Sequence, residues 1–182
     1  MSEQLPTRNV DRVFAVLDLD GDGRVEWADF EDKTSAISRE FAVAPDAPEA
    51  VRLLAAYRRV WEYVRGAADT DRDDAVTREE FEQAHLAGRL STAAVADLWA
   101  TASDRCFELI DRDGDGRIDQ GVLAALYRSA EVRDAEQTAA VAFAAMDANS
   151  DALVDQAEFT ANVRGVFTAT DESMKGAHML GA

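Results

Sequence analysis

The sequence has 182 residues, of which 47% are hydrophobic, and it carries a formal net charge of −17 at pH 7. A chain of this length and composition can bury a sizeable core, so we expect a globular fold of one domain or two small lobes. The strong negative charge argues against nucleic acid and against an anionic membrane surface as partners. No apolar run approaches the roughly 20 residues that span a bilayer, so no membrane span is expected.

The N-terminus lacks a basic region followed by an apolar stretch, so no signal peptide is predicted and a cytoplasmic location is expected. The single cysteine, Cys106, cannot form a disulfide within the chain, and its apolar neighbours favour a buried thiol over a reactive one. The two histidines, His85 and His178, lie far apart in sequence and offer little material for a metal cluster or a catalytic triad. We expect His85 to lie at the surface.

The first predicted element is a helix that ends just before residue 18, with Thr7 as its candidate N-cap. Four apolar residues recur along it at helical spacing: Val10, Val13, Phe14 and Leu17.

A twelve-residue segment, 18–29, follows this helix. It has oxygen-bearing side chains at its positions 1, 3, 5, 9 and 12 and a glycine, Gly23, at position 6. This alternation lets a chain that curls around a hard cation turn every second side chain inward, and the glycine allows a sharp turn with positive φ. The segment therefore predicts a calcium loop.

The same pattern recurs at 69–80, 111–122 and 147–158, each time beginning with aspartate and carrying Val or Ile at position 8. Apolar stripes at helical spacing flank every copy, and they are more typical of a core than of a ligand pocket. We expect the position-8 residues of partner loops to face each other in a short antiparallel contact, Val25 with Val76 and Ile118 with Val154.

Breaks between these units are predicted from proline, glycine and capping residues. The segment 44–48 ends one helix and begins the next, Gly88 ends a third helix, and Ser91 caps a fourth. A further break is expected near 130–134. The tail, 169–182, is small and polar and could pack as a short helix or fray.

Four such units in a compact acidic chain, with a longer connector inside the N-terminal pair, resemble the EF-hand sarcoplasmic calcium-binding proteins and their bacterial calerythrin-like members. The resemblance implies an all-α, calmodulin-superfamily fold of four EF-hand helix–loop–helix units in two pairs. It places the N-terminal pair at 1–88 and the C-terminal pair at 89–168. It also implies a compact calcium buffer or transporter in which one or more loops have lost binding.

Loop 1 departs from the usual pattern at position 12, where aspartate replaces glutamate. The shorter side chain makes bidentate capture of calcium harder and improves tolerance of Mg²⁺, which takes six ligands at shorter distances. Its predicted ligands, with Arg24 acting through its backbone carbonyl, are Asp18, Asp20, Asp22, Arg24 and Asp29.

Loops 2 and 4 keep glutamate at position 12 but lack glycine at position 6. Asp74 occupies that position in loop 2 at modest cost, with its extra charge facing solvent, and Ala152 occupies it in loop 4 at about 1–2 kcal/mol. The predicted ligands of loop 2 are Asp69, Asp71, Asp73, the Ala75 carbonyl and Glu80. Those of loop 4 are Asp147, Asn149, Asp151, the Leu153 carbonyl and Glu158, with Asp155 at position 9.

Loop 3 has a regular first half but Val122 at position 12, which offers no oxygen. It is either a weak site that fills at high calcium or a structural relic. Its candidate ligands are Asp111, Asp113, Asp115 and the Arg117 carbonyl, with Asp119 at position 9.

These features predict a monomeric calcium buffer that binds ions reversibly and changes shape little. Methionine is scarce, whereas the grooves of promiscuous sensors tend to be rich in it. The alternative is a sensor that exposes an apolar surface to a protein partner, and Trp27, Trp61 and Trp99 could line that surface, although core packing explains them better. Enzymatic activity is not expected, because no nucleophile or cofactor motif accompanies the acids.

Overall fold

The computed structural model describes residues 4–168, with side chains from residue 10 to residue 167. Over that range the chain forms eight α-helices and four short strands. In chain order they are α1 (Gln4–Leu17), β1 (Arg24–Glu26), α2 (Trp27–Glu40), α3 (Pro48–Ala68), β2 (Ala75–Thr77), α4 (Arg78–Leu86), α5 (Thr92–Ile110), β3 (Arg117–Ile118), α6 (Gln120–Ser129), α7 (Ala135–Met146), β4 (Val154–Asp155) and α8 (Gln156–Thr168).

Each strand lies in a loop between an entering and an exiting helix, which gives four helix–loop–helix units. Strand β1 pairs antiparallel with β2, with Val25 opposite Val76. Strand β3 pairs with β4 in the same way, with Ile118 opposite Val154. The predicted all-α class and the register of the loop contacts are therefore confirmed.

The predicted breaks between units are also confirmed. Helix α2 ends at Glu40, and α3 begins with Pro48, whose missing N–H needs no partner in a first turn. Gly88 follows α4 with a φ of +69°, and the Ser91 side chain accepts a hydrogen bond from the Ala94 N–H at the start of α5. The break at 130–134 separates α6 from α7.

The start of the first helix was predicted incorrectly. Helix α1 begins at Gln4, so Thr7 lies inside it and is not its N-cap. Pro6 belongs to the first turn, where no intrahelical N–H bond is needed, so the helix extends through it. The tail at 169–182 lies outside the described residues.

One aromatic cluster joins the two halves of the chain. The Phe30 ring, fully buried on α2, lies 5.6 Å from Tyr57 of α3 and 6.4 Å from Trp99 of α5. Trp99 in turn lies 6.0 Å from Phe167 of α8. The predicted boundary between residues 88 and 89 falls in the turn between α4 and α5, and these contacts cross it. The four units therefore share one continuous core.

The single-residue expectations outside the loops are largely confirmed. Trp61 and Trp99 are buried, and Trp27 is partly buried beneath the Arg58 guanidinium, 3.6 Å from the ring centroid. Cys106 is buried, and burial raises the pKa of its thiol to about 11, although nearby Lys33 opposes the shift. Such a thiol is a poor nucleophile.

His85 is less exposed than expected for a surface residue. It is half-buried on α4, and its Nε2 lies 3.2 Å from the hydroxyl of Thr92 at the start of α5. Burial lowers the pKa of its imidazole below the ordinary value.

Replacing Phe30 with alanine should lower the free energy of unfolding by about 3–5 kcal/mol, because the ring is fully buried where the halves meet. Leu86→Ala, at a side chain that is 85% exposed, should change it by less than about 0.5 kcal/mol. Urea unfolding of both variants at one fixed calcium concentration measures the difference. A Phe30→Ala effect below about 1 kcal/mol would contradict a shared core.

Candidate calcium sites

The structure brings together the first three acidic positions of three loops. In each loop one carboxylate oxygen from every member lies within 4.8 Å of the others. The groups are Asp18, Asp20 and Asp22 in loop 1, Asp69, Asp71 and Asp73 in loop 2, and Asp111, Asp113 and Asp115 in loop 3. Loop 4 has the same positions but substitutes Asn149 for one acid. Hard oxygen ligands converging in this way suit a hard divalent cation.

Backbone N–H groups hold these carboxylates in place. In loop 1 the Asp20 Oδ1 accepts from the Asp22 N–H at 3.1 Å, and the Asp22 Oδ1 accepts from the Arg24 N–H at 2.8 Å. The first aspartate of the loop accepts from a residue further along the chain: the Asp18 Oδ2 accepts from the Gly23 N–H at 3.0 Å. Equivalent bonds in loops 3 and 4 join Gly116 to Asp111 and Ala152 to Asp147.

The Asp18 carboxylate shows that the site suits a cation. Its Oδ1 is buried and has no hydrogen-bond partner in the described part of the chain. Burial raises the pKa of Asp18 above its ordinary value; the Gly23 N–H opposes this, and the neighbouring Asp22 charge adds to it. A buried, unpaired carboxylate oxygen is costly unless a cation meets it, so the donor set fits a calcium ion.

The glutamates at position 12 lie outside the clusters and bind the backbone at both ends of their loops. The Glu80 Oε1 accepts from the Thr70 N–H at 3.1 Å, and its Oε2 accepts from the Thr77 N–H at 3.0 Å. Burial alone would raise the pKa of Glu80, but hydrogen bonds from Thr77 and Thr70 outweigh it and lower the pKa to about 2. Glu158 bridges loop 4 in the same way, accepting from Ala148 and Asp155.

Asp29, the shorter acid at position 12 of loop 1, is buried, with 8% of its surface exposed. Its Oδ2 accepts from the Glu26 N–H at 2.7 Å. Burial raises the pKa of Asp29 above its ordinary value, although that hydrogen bond opposes the shift. The charged form of Asp29 is therefore less favoured than that of Glu80.

The residues at position 9 of the loops act as N-caps of the exiting helices, a role that was not predicted from the sequence. Asp119 accepts a hydrogen bond from the Val122 N–H at 2.9 Å, and Asp155 accepts from the Glu158 N–H at 2.8 Å. Thr77 and Glu80 bond reciprocally at the start of α4. The signal was present in the sequence, because a capping residue three positions before glutamate is a capping box.

The position-7 residues stand at or just before the strands, where β1 pairs with β2 and β3 with β4. Arg24, Ala75 and Arg117 begin their strands, and Leu153 precedes β4. Two of their side chains also cross to the partner loop: Arg24 lies 2.6 Å from the Asp73 Oδ2, and Arg117 lies 3.7 Å from the Asp151 Oδ2. In each pair an arginine therefore faces a predicted ligand of the neighbouring loop.

Left-handed backbone occurs at position 6 as expected, with φ of 63° at Asp74 and 64° at Ala152. The Asp74 side chain is 73% exposed and pairs with Arg65, so its charge faces solvent. Position 4 is left-handed too, a feature not predicted from the sequence. Glycine occupies it in loops 1 and 3, whereas Arg72 and Ser150 occupy it in loops 2 and 4 with φ of 64° and 59°.

A family model described as "EF hand" matches residues 10–32 and 104–120, which cover loop 1 and most of loop 3. The "Probable calcium-binding protein CML16" of Oryza sativa subsp. japonica is 33% identical over 151 residues, covering 82% of this chain and 74% of that protein. The chain belongs to the EF-hand family of calcium-binding proteins.

Two further similarities place this EF-hand protein beside bacterial members. Calerythrin of Saccharopolyspora erythraea is 25% identical over 166 residues, covering 90% of this chain and 93% of that protein. A solved calcium-binding protein of Streptomyces coelicolor, described in terms of prokaryotic calcium-mediated regulation, is 27% identical with a TM-score of 0.73. That match covers 88% of this chain and 96% of the other. The predicted resemblance to calerythrin-like proteins is therefore confirmed. Among the described residues, none of the helices is both long and apolar enough to cross a membrane.

Ala152→Gly should raise the free energy of unfolding by about 0.5–1 kcal/mol, because relief of a left-handed alanine exceeds the extra chain entropy of glycine. Ala148→Gly is the matched control in the same loop: its φ is not positive, so the same change should lower the free energy of unfolding by about 0.5–1 kcal/mol. Urea unfolding in saturating calcium measures both. If both substitutions change the free energy of unfolding by the same amount in the same direction, the backbone at residue 152 is not strained.

Proposed function

We propose that this EF-hand protein is a monomeric cytoplasmic calcium buffer that acts by reversible binding and carries out no chemical reaction. Loops 1, 2 and 4 are its calcium sites, through the residues predicted from the sequence. Loop 3 is the weak site because Val122 supplies no oxygen. The chain divides at residue 88 into two pairs of hands, and each pair is joined through its antiparallel loop contact.

The aromatic cluster between the halves supports the buffer role most directly. A sensor must expose apolar surface when calcium binds. Here Phe30, Tyr57 and Trp99 contact each other across the two pairs and are at most 8% exposed. Opening either pair would break these contacts, at a cost of several kcal/mol for large buried rings. Calcium binding within a closed structure avoids that cost.

Loop 1 is the site where magnesium should compete most effectively. Its twelfth ligand is the short Asp29 side chain, which is held by the Glu26 N–H and is less readily charged than a glutamate in the same position. Magnesium takes fewer ligands at shorter distances than calcium, so the loss of a bidentate carboxylate penalises it less. Loop 1 therefore holds magnesium at low calcium and exchanges it when calcium rises.

A calcium sensor is the second candidate, and one observation favours it. The 27% identical protein of Streptomyces coelicolor is described in terms of calcium-mediated regulation. A sensor of that kind would use an apolar surface that calcium uncovers for a protein partner. In this chain Trp27, which is only partly buried, would be the first aromatic residue to become available.

Retention on a phenyl resin and fluorescence of an apolar dye distinguish the two roles. A buffer should show less than about a twofold change in either signal between EDTA and saturating calcium, because its core stays closed. The control is the triple variant Asp18→Ala, Asp69→Ala and Asp147→Ala, which removes the first ligand of each proposed site. A several-fold rise in the wild type that the triple variant lacks would replace the buffer with the sensor.

A further inference from the structure

A cavity of about 340 Å³ lies between the two halves. Helices from all four units contribute to its walls. Its apolar surface comes from Tyr57, Trp99, Leu126, Phe159, Val163 and Phe167. A space of this size is within the range of pockets that hold small organic ligands.

One cation stands in the wall of this cavity. Lys33 of α2 retains some accessible surface because it lines the open space, and burial lowers the pKa of its ammonium despite an opposing effect of Cys106. In the described part of the chain no carboxylate pairs with Lys33, although the protein carries a net charge of −17. A partly buried ammonium without a counter-ion is unfavourable, so the cavity has a position that an anion would fill.

A second residue of the same wall carries a polar group without a partner. Tyr127 of α6 is 5% exposed, and its buried hydroxyl has no hydrogen-bond partner among the described residues. Burial raises the pKa of this hydroxyl to about 12, so it remains a donor at neutral pH. Orphaned buried hydroxyls are rare in folded proteins and call for an explanation. A small rotation of the Tyr127 side chain towards the cavity would let a bound acceptor satisfy this one.

We propose that this cavity binds a small carboxylic acid with an apolar body, its carboxylate held by Lys33 and Tyr127 and its body packed against the aromatic wall. The carboxylate would supply the counter-ion that Lys33 lacks and accept the hydrogen bond that the Tyr127 hydroxyl can donate. Asp18, a second charged residue in the described part of the wall, is a predicted loop 1 ligand, so calcium binding would neutralise it. In this one respect the binding of the acid rests on the proposed function, because it requires calcium in loop 1.

The test uses 3-phenylpropanoate as the probe and 3-phenylpropan-1-ol as the uncharged analogue of the same shape. Both are titrated by calorimetry into the full chain in saturating calcium, after calcium binding has been measured on the same sample. We expect one saturable site that prefers the acid, and a loss of affinity for the acid of about tenfold or more in Lys33→Met. Lys33→Arg should restore most of that preference, and the alcohol should bind both variants as it binds the wild type.

A second variant tests the location without removing a charge. Val132→Trp places a large side chain at a half-buried position of the cavity wall and should weaken the acid and the alcohol together. Absence of saturable binding of the acid to a calcium-saturated wild type would overturn the proposal. Equal affinity of the acid for wild type and Lys33→Met would overturn it as well. Failure to bind calcium in the first measurement would instead count against the proposed function.

Discussion

The repulsion among carboxylates in the calcium loops is the constraint on which the rest of the structure depends. Asp18, Asp20 and Asp22 hold oxygens within 4.8 Å of one another, and the same crowding recurs in loops 2 and 3. Like charges at that distance oppose folding. Turns stabilised by backbone N–H groups offset part of the repulsion, and a bound dication offsets far more. The loops are therefore stable when they bind calcium, and the helices around them serve to hold the ligands together.

Each pair of hands combines two loops with complementary defects. Loops 1 and 3 have glycine at both left-handed positions but a short or missing acid at position 12. Loops 2 and 4 have no glycine there; a left-handed side chain costs about 1–2 kcal/mol, and less at Asp74 because aspartate tolerates this region. Those same two loops keep a glutamate that accepts hydrogen bonds from both ends of the loop, Glu80 in one and Glu158 in the other.

This division assigns a second role to the glutamate at position 12. In loops 2 and 4 it ties a strained backbone to the start of the exiting helix, in addition to its proposed role as a calcium ligand. Loops 1 and 3 have relaxed backbones and do not need the tie, so their folded shape survives the change to Asp29 or Val122. Under the proposed assignment of the sites, the cost of those substitutions falls on metal binding, and it is greatest where no oxygen remains.

The sequence was sufficient for the features that depend on local pattern. The spacing of the ligands predicted the four loops, and the residues at position 8 predicted that Val25 faces Val76. Pro48 and Ser91 predicted where two helices begin. The prediction that Thr7 caps the first helix was wrong, because a proline in the first turn is compatible with a helix that begins earlier. The Arg24–Asp73 and Arg117–Asp151 contacts and the cavity beside Lys33 could not be predicted in this way. They join residues far apart in the chain. The pairing of loops within each half makes the two arginine contacts, and the packing of the two halves makes the cavity.

The stoichiometry and affinity of calcium binding before and after Val122→Glu test the central claim most directly. The claim is that the residue at position 12 decides which loops bind. Calorimetry should find three calcium ions in the wild type and a fourth, tighter event in Val122→Glu, which disappears when Asp111→Ala is added. Val122→Gln removes the same packing without adding a charge and should not gain the fourth event. Four comparable sites in the wild type, or no change in Val122→Glu, would contradict the account.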